Sequence, residues 1–205
     1  MQIDGFEIYP GYLDRNAQTV LISSLRELVA ECPFYTPAMP RSGKPMSVRM
    51  TNLGELGWVT DKAGYRYQPC HPETGKPWPA RPAQLLDLWK ILAHYPHPPE
   101  ACLLNHYTGK ARMGLHQDRD EMDFDAPVLS VSLGDTAVFR IGGSARTDPT
   151  RSIRLQSGDV VVMGGPARMN FHGVDRVLPA TSTLLNGGGR LNLTLRRENL
   201  PQEQL

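Results

Sequence analysis

The chain has 205 residues, 40% of them hydrophobic, enough for one well-buried core with at most an attached subdomain. Its formal net charge of +1 supplies no global field to drive it onto nucleic acid or membrane, so any basic surface must be local. The three cysteines (Cys32, Cys70, Cys102) form no C-x-x-C pair and read as reduced thiols of a cytoplasmic protein; no signal-peptide pattern opens the sequence, and no apolar run approaches the ~18 residues of a membrane span.

In chain order, residues 1–15 read as a short strand and turn, punctuated at Tyr9-Pro10-Gly11. Asn16 is placed to cap a helix running to about Glu31, with Val20, Leu21, Leu25, Leu28 and Val29 as its apolar stripe. Residues 33–82 show no helical period. Between 36 and 90 eight Lys/Arg face four acids, among the aromatic residues Trp58, Tyr65, Tyr67 and Trp78. A second helix starts near Pro82 and buries Leu85, Leu88, Trp89 and Leu92. From Ala101 the pattern changes to short strands at 101–107, 127–133, 136–141, 151–156, 159–163, 170–172 and 190–196. They are broken by Gly-containing turns, as in a sandwich or barrel. The polar tail 198–205 is expected to fray.

Two constellations carry chemistry. His116 and Asp118 are two residues apart, so on extended backbone both point to one side. His172 is the best third ligand for a divalent metal, and two histidines with one carboxylate leave open positions of the kind non-haem Fe(II) uses. An isolated His-x-Asp also arises by chance, and His172 could equally be a core histidine. His71, His94, His97 and His106 read as ordinary structural histidines. The second constellation is 190–196. Leu191, Leu193 and Leu195 alternate with Arg190, Asn192, Thr194 and Arg196. This is either an edge strand with a solvated face or a barrel wall whose polar side points inward. Inside a barrel two arginines need anionic partners, and a dicarboxylate suits them. Asn105 and Tyr107 share one face of another strand and could add neutral hydrogen bonds. Fe(II) with a small 2-oxo diacid describes 2-oxoglutarate.

In these residues the chain resembles the AlkB family, Fe(II)- and 2-oxoglutarate-dependent dioxygenases that repair alkylated nucleobases. The likeness spans most of the chain. It is carried by Arg49-Met50-Thr51-Asn52, Gly57-Trp58, Gly64-Tyr65-Arg66-Tyr67 and Lys76-Pro77-Trp78-Pro79, and in the second half by Asn105, Tyr107, 116–121, 130–134, 158–162, Phe171-His172-Gly173 and 190–196. It implies a mainly β fold with flanking helices, a double-stranded β-helix or jelly roll. Residues 1–100 would form N-terminal helices and a nucleotide-recognition lid, 101–197 the dioxygenase core, and 198–205 a tail. By position, His116, Asp118 and His172 would bind iron. Arg196 and Asn105 would hold the 1-carboxylate end of 2-oxoglutarate, and Arg190, Tyr107 and Asn192 the far carboxylate. Trp58 would stack on the damaged base, Tyr65 would touch the nucleic-acid backbone, Asp120 would sit at the base edge, and Arg146 would line the substrate site. Met163 departs from the family, whose close members carry an aromatic residue there.

The implied reaction is oxidative demethylation of 1-methyladenine or 3-methylcytosine in DNA, with RNA left open. It consumes 2-oxoglutarate and O2 and releases formaldehyde, succinate and CO2. The protein is expected to be a monomer. The competing readings are an oxygenase of the same chemistry acting on a protein or small molecule, and a non-enzymatic metal-binding barrel. On the residues alone, Trp58 and Tyr65 also fit a small aromatic core, and Asp120 and Glu121 also fit solvated loop acids like Asp123 and Asp125.

Overall fold

The structure, a computed structural model, describes residues 1–201. One antiparallel sheet of seven strands contains β1 (Gln2–Ile3), β2 (Phe6–Tyr9), β3 (Arg49–Gly54), β6 (Ala101–Tyr107), β8 (Val128–Gly134), β11 (Val160–Met163) and β13 (Arg190–Arg196), in the order β1-β2-β11-β8-β13-β6-β3. A second sheet of four contains β7 (Met113–His116), β9 (Ala137–Ile141), β10 (Arg151–Leu155) and β12 (His172–Val177), in the order β10-β9-β12-β7. The hairpin of β4 (Gly57–Asp61) and β5 (Gly64–Gln68) stands apart from both. The fold is the jelly roll that the family resemblance implied, within the sandwich-or-barrel class read from the Gly-punctuated short strands.

Two apolar clusters define its layers. Phe6, Met50, Leu103, Tyr107, Phe139, Ile141, Met163 and Val174 belong to one, fed by both sheets. The other joins the large sheet, through Leu104, Leu129, Val131, Leu193 and Leu195, to the helices α1 (Arg15–Glu31) and α2 (Ala83–Leu92), through Leu21, Ile22, Leu25, Leu85, Leu88 and Trp89. Helices therefore cover the outer side of the large sheet. That settles the alternation of β13: its leucines meet the helices, and its polar residues face the space between the sheets.

Several local expectations need correction. Asp14, not Asn16, caps α1, its carboxylate accepting the Ala17 N–H at 2.8 Å. An acid also suits the positive end of the helix. Val20 is exposed, and the buried stripe is Gln18, Leu21, Ile22 and Leu25. Gln18 takes an inward position because its amide donates to Leu13 O and accepts from Ser157 Oγ. Strands β3, β4, β5 and β7 were not anticipated. In β3 four successive residues are buried, so both faces are covered and no polar-apolar alternation marks the strand. Residues before 101 thus supply β1, β2 and β3 to the large sheet itself, with β2 pairing β11 and β3 pairing β6. Among the described residues no helix is long and apolar enough to cross a membrane.

Candidate active site

The open end between the sheets is a cleft of 1030 Å³. One cluster in its lining comes from strand register. In the β7–β12 pairing His116 lies directly opposite His172, so both imidazoles project from one face, with ring centroids 4.6 Å apart. Gly173 makes the close pairing possible, since a Cβ there would lie 2.7 Å from the carbonyl oxygens of Met113 and Gly114. Asp118, just past the end of β7, completes the group: one ligand atom from each of the three residues lies within 4.8 Å of the others. His116 Nε2 is 3.7 Å from Asp118 Oδ1, and His172 Nε2 is 3.7 Å from Asp118 Oδ2.

The arrangement fits a divalent metal on the protein's own hydrogen bonding. His116 Nδ1 bonds the Gly114 carbonyl at 2.9 Å and His172 Nδ1 the Asn170 carbonyl at 3.0 Å. A carbonyl only accepts, so each Nδ1 carries the proton and each Nε2 keeps its lone pair turned toward Asp118. Among the described residues Asp118 Oδ2 is buried with no hydrogen-bond partner, a charged acceptor that a metal would satisfy. Burial alone would raise the Asp118 carboxyl, but the Arg196 guanidinium and the two imidazoles hold it well below the usual carboxylate range. It is a ready anionic ligand.

Burial also pulls the His172 imidazole down from 6.5 to about 4, with Asp118 partly opposing the shift. The unfolded chain takes up this proton near 6.5, whereas the metal-free fold resists it until about 4. In that window the unfolded state binds more protons, so the stability present above pH 6.5 is lost as pH falls toward 4. The expected loss is on the order of 3 kcal/mol. Glu198, pushed up to about 7 by burial, acts in the opposite sense over much of this window. The measure is therefore the difference in urea stability between metal-free parent and His172→Gln, which should move against the parent by that amount from about pH 7 to pH 4.

The second constellation lies on β13. Arg190 pairs across β6 with Tyr107, and Asn192 with Asn105. Asn105, Tyr107, Asn192 and Arg196 line the cleft; Arg190 lies behind it, 1% exposed. Its guanidinium donates to Ser132 Oγ at 2.7 Å and to the Leu155 and Asp135 carbonyls at 3.4 and 3.5 Å. Among the described residues no carboxylate reaches it within ion-pair distance, and burial pushes its pKa down to about 10. Among the described residues Arg190 Nε and Arg196 Nε are buried donors without partners, while Asn105 Oδ1 is a buried acceptor without one. Orphaned donors beside an uncompensated buried cation fit an anionic cofactor end that bonds them.

Over the metal group stands the β4–β5 hairpin. Trp58 and Tyr65 stack with centroids 5.5 Å apart at 21°, and Trp58 Nε1 donates to Asp120 Oδ2 at 2.8 Å. Tyr65 and Asp120 are exposed, so the pair is a surface on the cleft and not the buried core of a subdomain. Arg146, also at the cleft, lies over the Phe171 ring at 5.0 Å. The solvated-acid alternative fails for Glu121 and Asp123. Glu121 is buried against Arg168 at 3.1 Å, and Asp123 is buried, accepting from Tyr95 OH at 2.7 Å. Arg168 was not singled out from sequence. It bonds the Ala126 and Asp118 carbonyls and Glu121, clamping the segment that carries the ligand carboxylate. His71 and His106 keep structural roles, His71 against the Pro33 carbonyl at 2.9 Å and His106 against the Phe34 ring. Met163 lines the cleft and is buried.

The family model described as the 2OG-Fe(II) oxygenase superfamily matches residues 5–196. An alpha-ketoglutarate-dependent dioxygenase AlkB homolog of Caulobacter vibrioides is 59% identical over 197 residues, 95% of this chain and 88% of that protein. The chain belongs to the AlkB family of 2OG-Fe(II) oxygenases. Further members of the AlkB family lie at greater distance. An Arabidopsis thaliana protein named DNA N(6)-methyladenine demethylase ALKBH1D is 43% identical over 108 residues, 48% of this chain and 24% of that protein. The solved structure of OsALKBH1 superposes with a TM-score of 0.84 at 31% identity, covering 96% of this chain and 98% of the other. As an AlkB-family dioxygenase the protein uses Fe(II), 2-oxoglutarate and O2.

Proposed function

We propose that this dioxygenase demethylates N-alkylated nucleobases in DNA or RNA. His116, Asp118 and His172 hold Fe(II), Asn105 and Arg196 one end of 2-oxoglutarate, and Tyr107, Arg190 and Asn192 the other. When bound, this pair supplies the oxidation of an N-methyl carbon to formaldehyde, with 2-oxoglutarate and O2 becoming succinate and CO2. The observation that carries the reading is the aromatic hairpin over the His-Asp-His group, with Trp58 bonded to Asp120 across one cleft. Trp58 offers a stacking surface, and a base entering against it competes with Tyr65 for that face. Methylation at N1 of adenine or N3 of cytosine makes the base cationic, so the Asp120 carboxylate at the cleft favours it over the neutral base. A duplex base must first leave its stack, which costs least for a damaged pair. The basic excess between 36 and 90 supplies phosphate contacts, with Tyr65 and Arg146 at the rim.

Every group the reaction needs lies in one chain, which supports action as a monomer. The three free thiols, two of them buried, support a reducing compartment such as the cytoplasm. The test is formaldehyde release from oligonucleotides carrying 1-methyladenine or 3-methylcytosine, with Fe(II), 2-oxoglutarate and O2. Trp58→Ala should lower demethylation by the worth of one stacked base, about 1–3 kcal/mol, while substrate-free turnover of 2-oxoglutarate stays unchanged. Turnover of 2-oxoglutarate with no methyl loss from any oligonucleotide would move the substrate to a protein or small molecule.

A further inference from the structure

We propose that Tyr67 is a positioning residue for Arg196, set from the hairpin that receives the base; this rests on the roles given above to Arg196 and Trp58. In the β4–β5 register Trp58 lies directly opposite Tyr67, so the two side chains share one face of the hairpin. They meet adjacent acids: Trp58 Nε1 donates to Asp120, and the Tyr67 hydroxyl donates to Glu121 Oε1. Glu121 is 1% exposed at its side chain, and its other oxygen accepts from Arg168 Nη2 at 3.1 Å. The hairpin is thus fastened to the segment that begins with the ligand Asp118.

Arg196 stands at the end of this chain of contacts. Its Nη2 donates to Asp118 Oδ1 at 2.9 Å, while its Nε lies 3.7 Å from Glu121 Oε1 and has no hydrogen-bond partner among the described residues. Tyr67 and Arg196 thus approach the same oxygen, Glu121 Oε1. Without the Tyr67 hydroxyl, Glu121 Oε1 becomes a buried carboxylate oxygen short of a donor, and the nearest free one is Arg196 Nε. A small shift closes that bond and commits the guanidinium to two protein carboxylates, drawing it off an incoming cofactor carboxylate. The hydroxyl therefore keeps Glu121 satisfied and Arg196 available. Because Trp58 and Tyr67 are cross-strand partners, a base that shifts the hairpin alters the same contact.

The experiment uses the full chain loaded with redox-silent Mn(II) and titrated calorimetrically with 2-oxoglutarate, alone and with a saturating 3-methylcytosine oligonucleotide. Tyr67→Phe should weaken 2-oxoglutarate binding roughly tenfold, the scale of one hydrogen bond to a charged group, with Mn(II) affinity unchanged. The wild-type cofactor affinity should change when the oligonucleotide binds, and that response should vanish in Tyr67→Phe. In a Glu121→Gln background, where the competing charge is gone, Tyr67→Phe should add no more than about twofold. An unchanged 2-oxoglutarate affinity in Tyr67→Phe overturns the proposal, as does an equal loss of Mn(II), which marks general collapse of the site. A wild-type affinity indifferent to bound oligonucleotide overturns the tie to the hairpin. If no methylated oligonucleotide binds or is turned over, the demethylase reading fails, and the cofactor titration of Tyr67→Phe still decides the positioning role.

Discussion

Asp118→Ala should abolish metal binding and demethylation and also destabilise the metal-free fold, whereas His116→Ala should abolish the first two at little cost to stability. Both residues contribute to one metal group, so either loss removes turnover. Their surroundings differ. Asp118 is buried and is the nearest counter-charge to the buried Arg196, at 2.9 Å. Removing one partner of a buried pair strands the other, at a cost of about 3–5 kcal/mol. Glu121, 3.7 Å from Arg196 Nε, can take up part of the charge and brings the expected loss to the low end of that range. The His116 side chain is 38% exposed and bonds only the Gly114 carbonyl, which water can reach once the ring is gone. Its loss should cost about 1 kcal/mol. Fe(II) titrations and urea unfolding of the metal-free variants separate the two effects. Tight metal binding by His116→Ala, or equal stability losses in the two variants, would contradict the assignment.

The parts of this site legible in the sequence were those governed by period two. His116 and Asp118, Asn105 and Tyr107, and the residues of 190–196 could each be placed on a face by counting, and the structure puts them on the faces expected. Counting could not choose which side of β13 faced the cleft; the helix-covered leucines did. Nor could it pair His116 with His172, because that register is set between β7, only four residues long, and β12, whose pairing shifts between His172 and Val174. Glu121, Asp123 and Arg168 were illegible for another reason. An acid followed by more acids in a Gly-free polar stretch reads as solvated, and only tertiary packing brings Arg168, 47 residues on, against Glu121. The charge excess between 36 and 90 pointed to the hairpin region without giving its strands. Aromatic and proline-rich composition obscures period two where both faces of a strand are covered.

Arg190→Met should leave the metal-free protein about as stable as the parent but weaken 2-oxoglutarate binding by about 2–5 kcal/mol, the cost of removing one partner of a buried, hydrogen-bonded charge pair. Among the described residues Arg190 lacks an anionic partner in the empty protein. It is 1% exposed, its three bonds go to neutral oxygens, and its pKa is pushed down to about 10 by burial. A cation left in that state is costly, so exchanging it for a thioether of similar length removes a desolvation penalty while giving up bonds to Ser132, Asp135 and Leu155. These changes offset one another in the empty protein. They do not offset once a carboxylate arrives, because the methionine has nothing to give it. Arg190→Lys should also fall short of the parent, since one ammonium cannot reproduce the two-pronged grip of a guanidinium. The contrast with Arg196 sharpens the assignment. Arg196 bonds the ligand Asp118, so losing it should weaken metal and cofactor together. Arg190 touches no metal ligand, so its loss should spare the metal. Calorimetry of Mn(II) and 2-oxoglutarate binding, with the thermal shift each ligand produces, tests the pair. Parental 2-oxoglutarate affinity in Arg190→Met would mean that the far carboxylate is held elsewhere, and the buried guanidinium would then need a different anion.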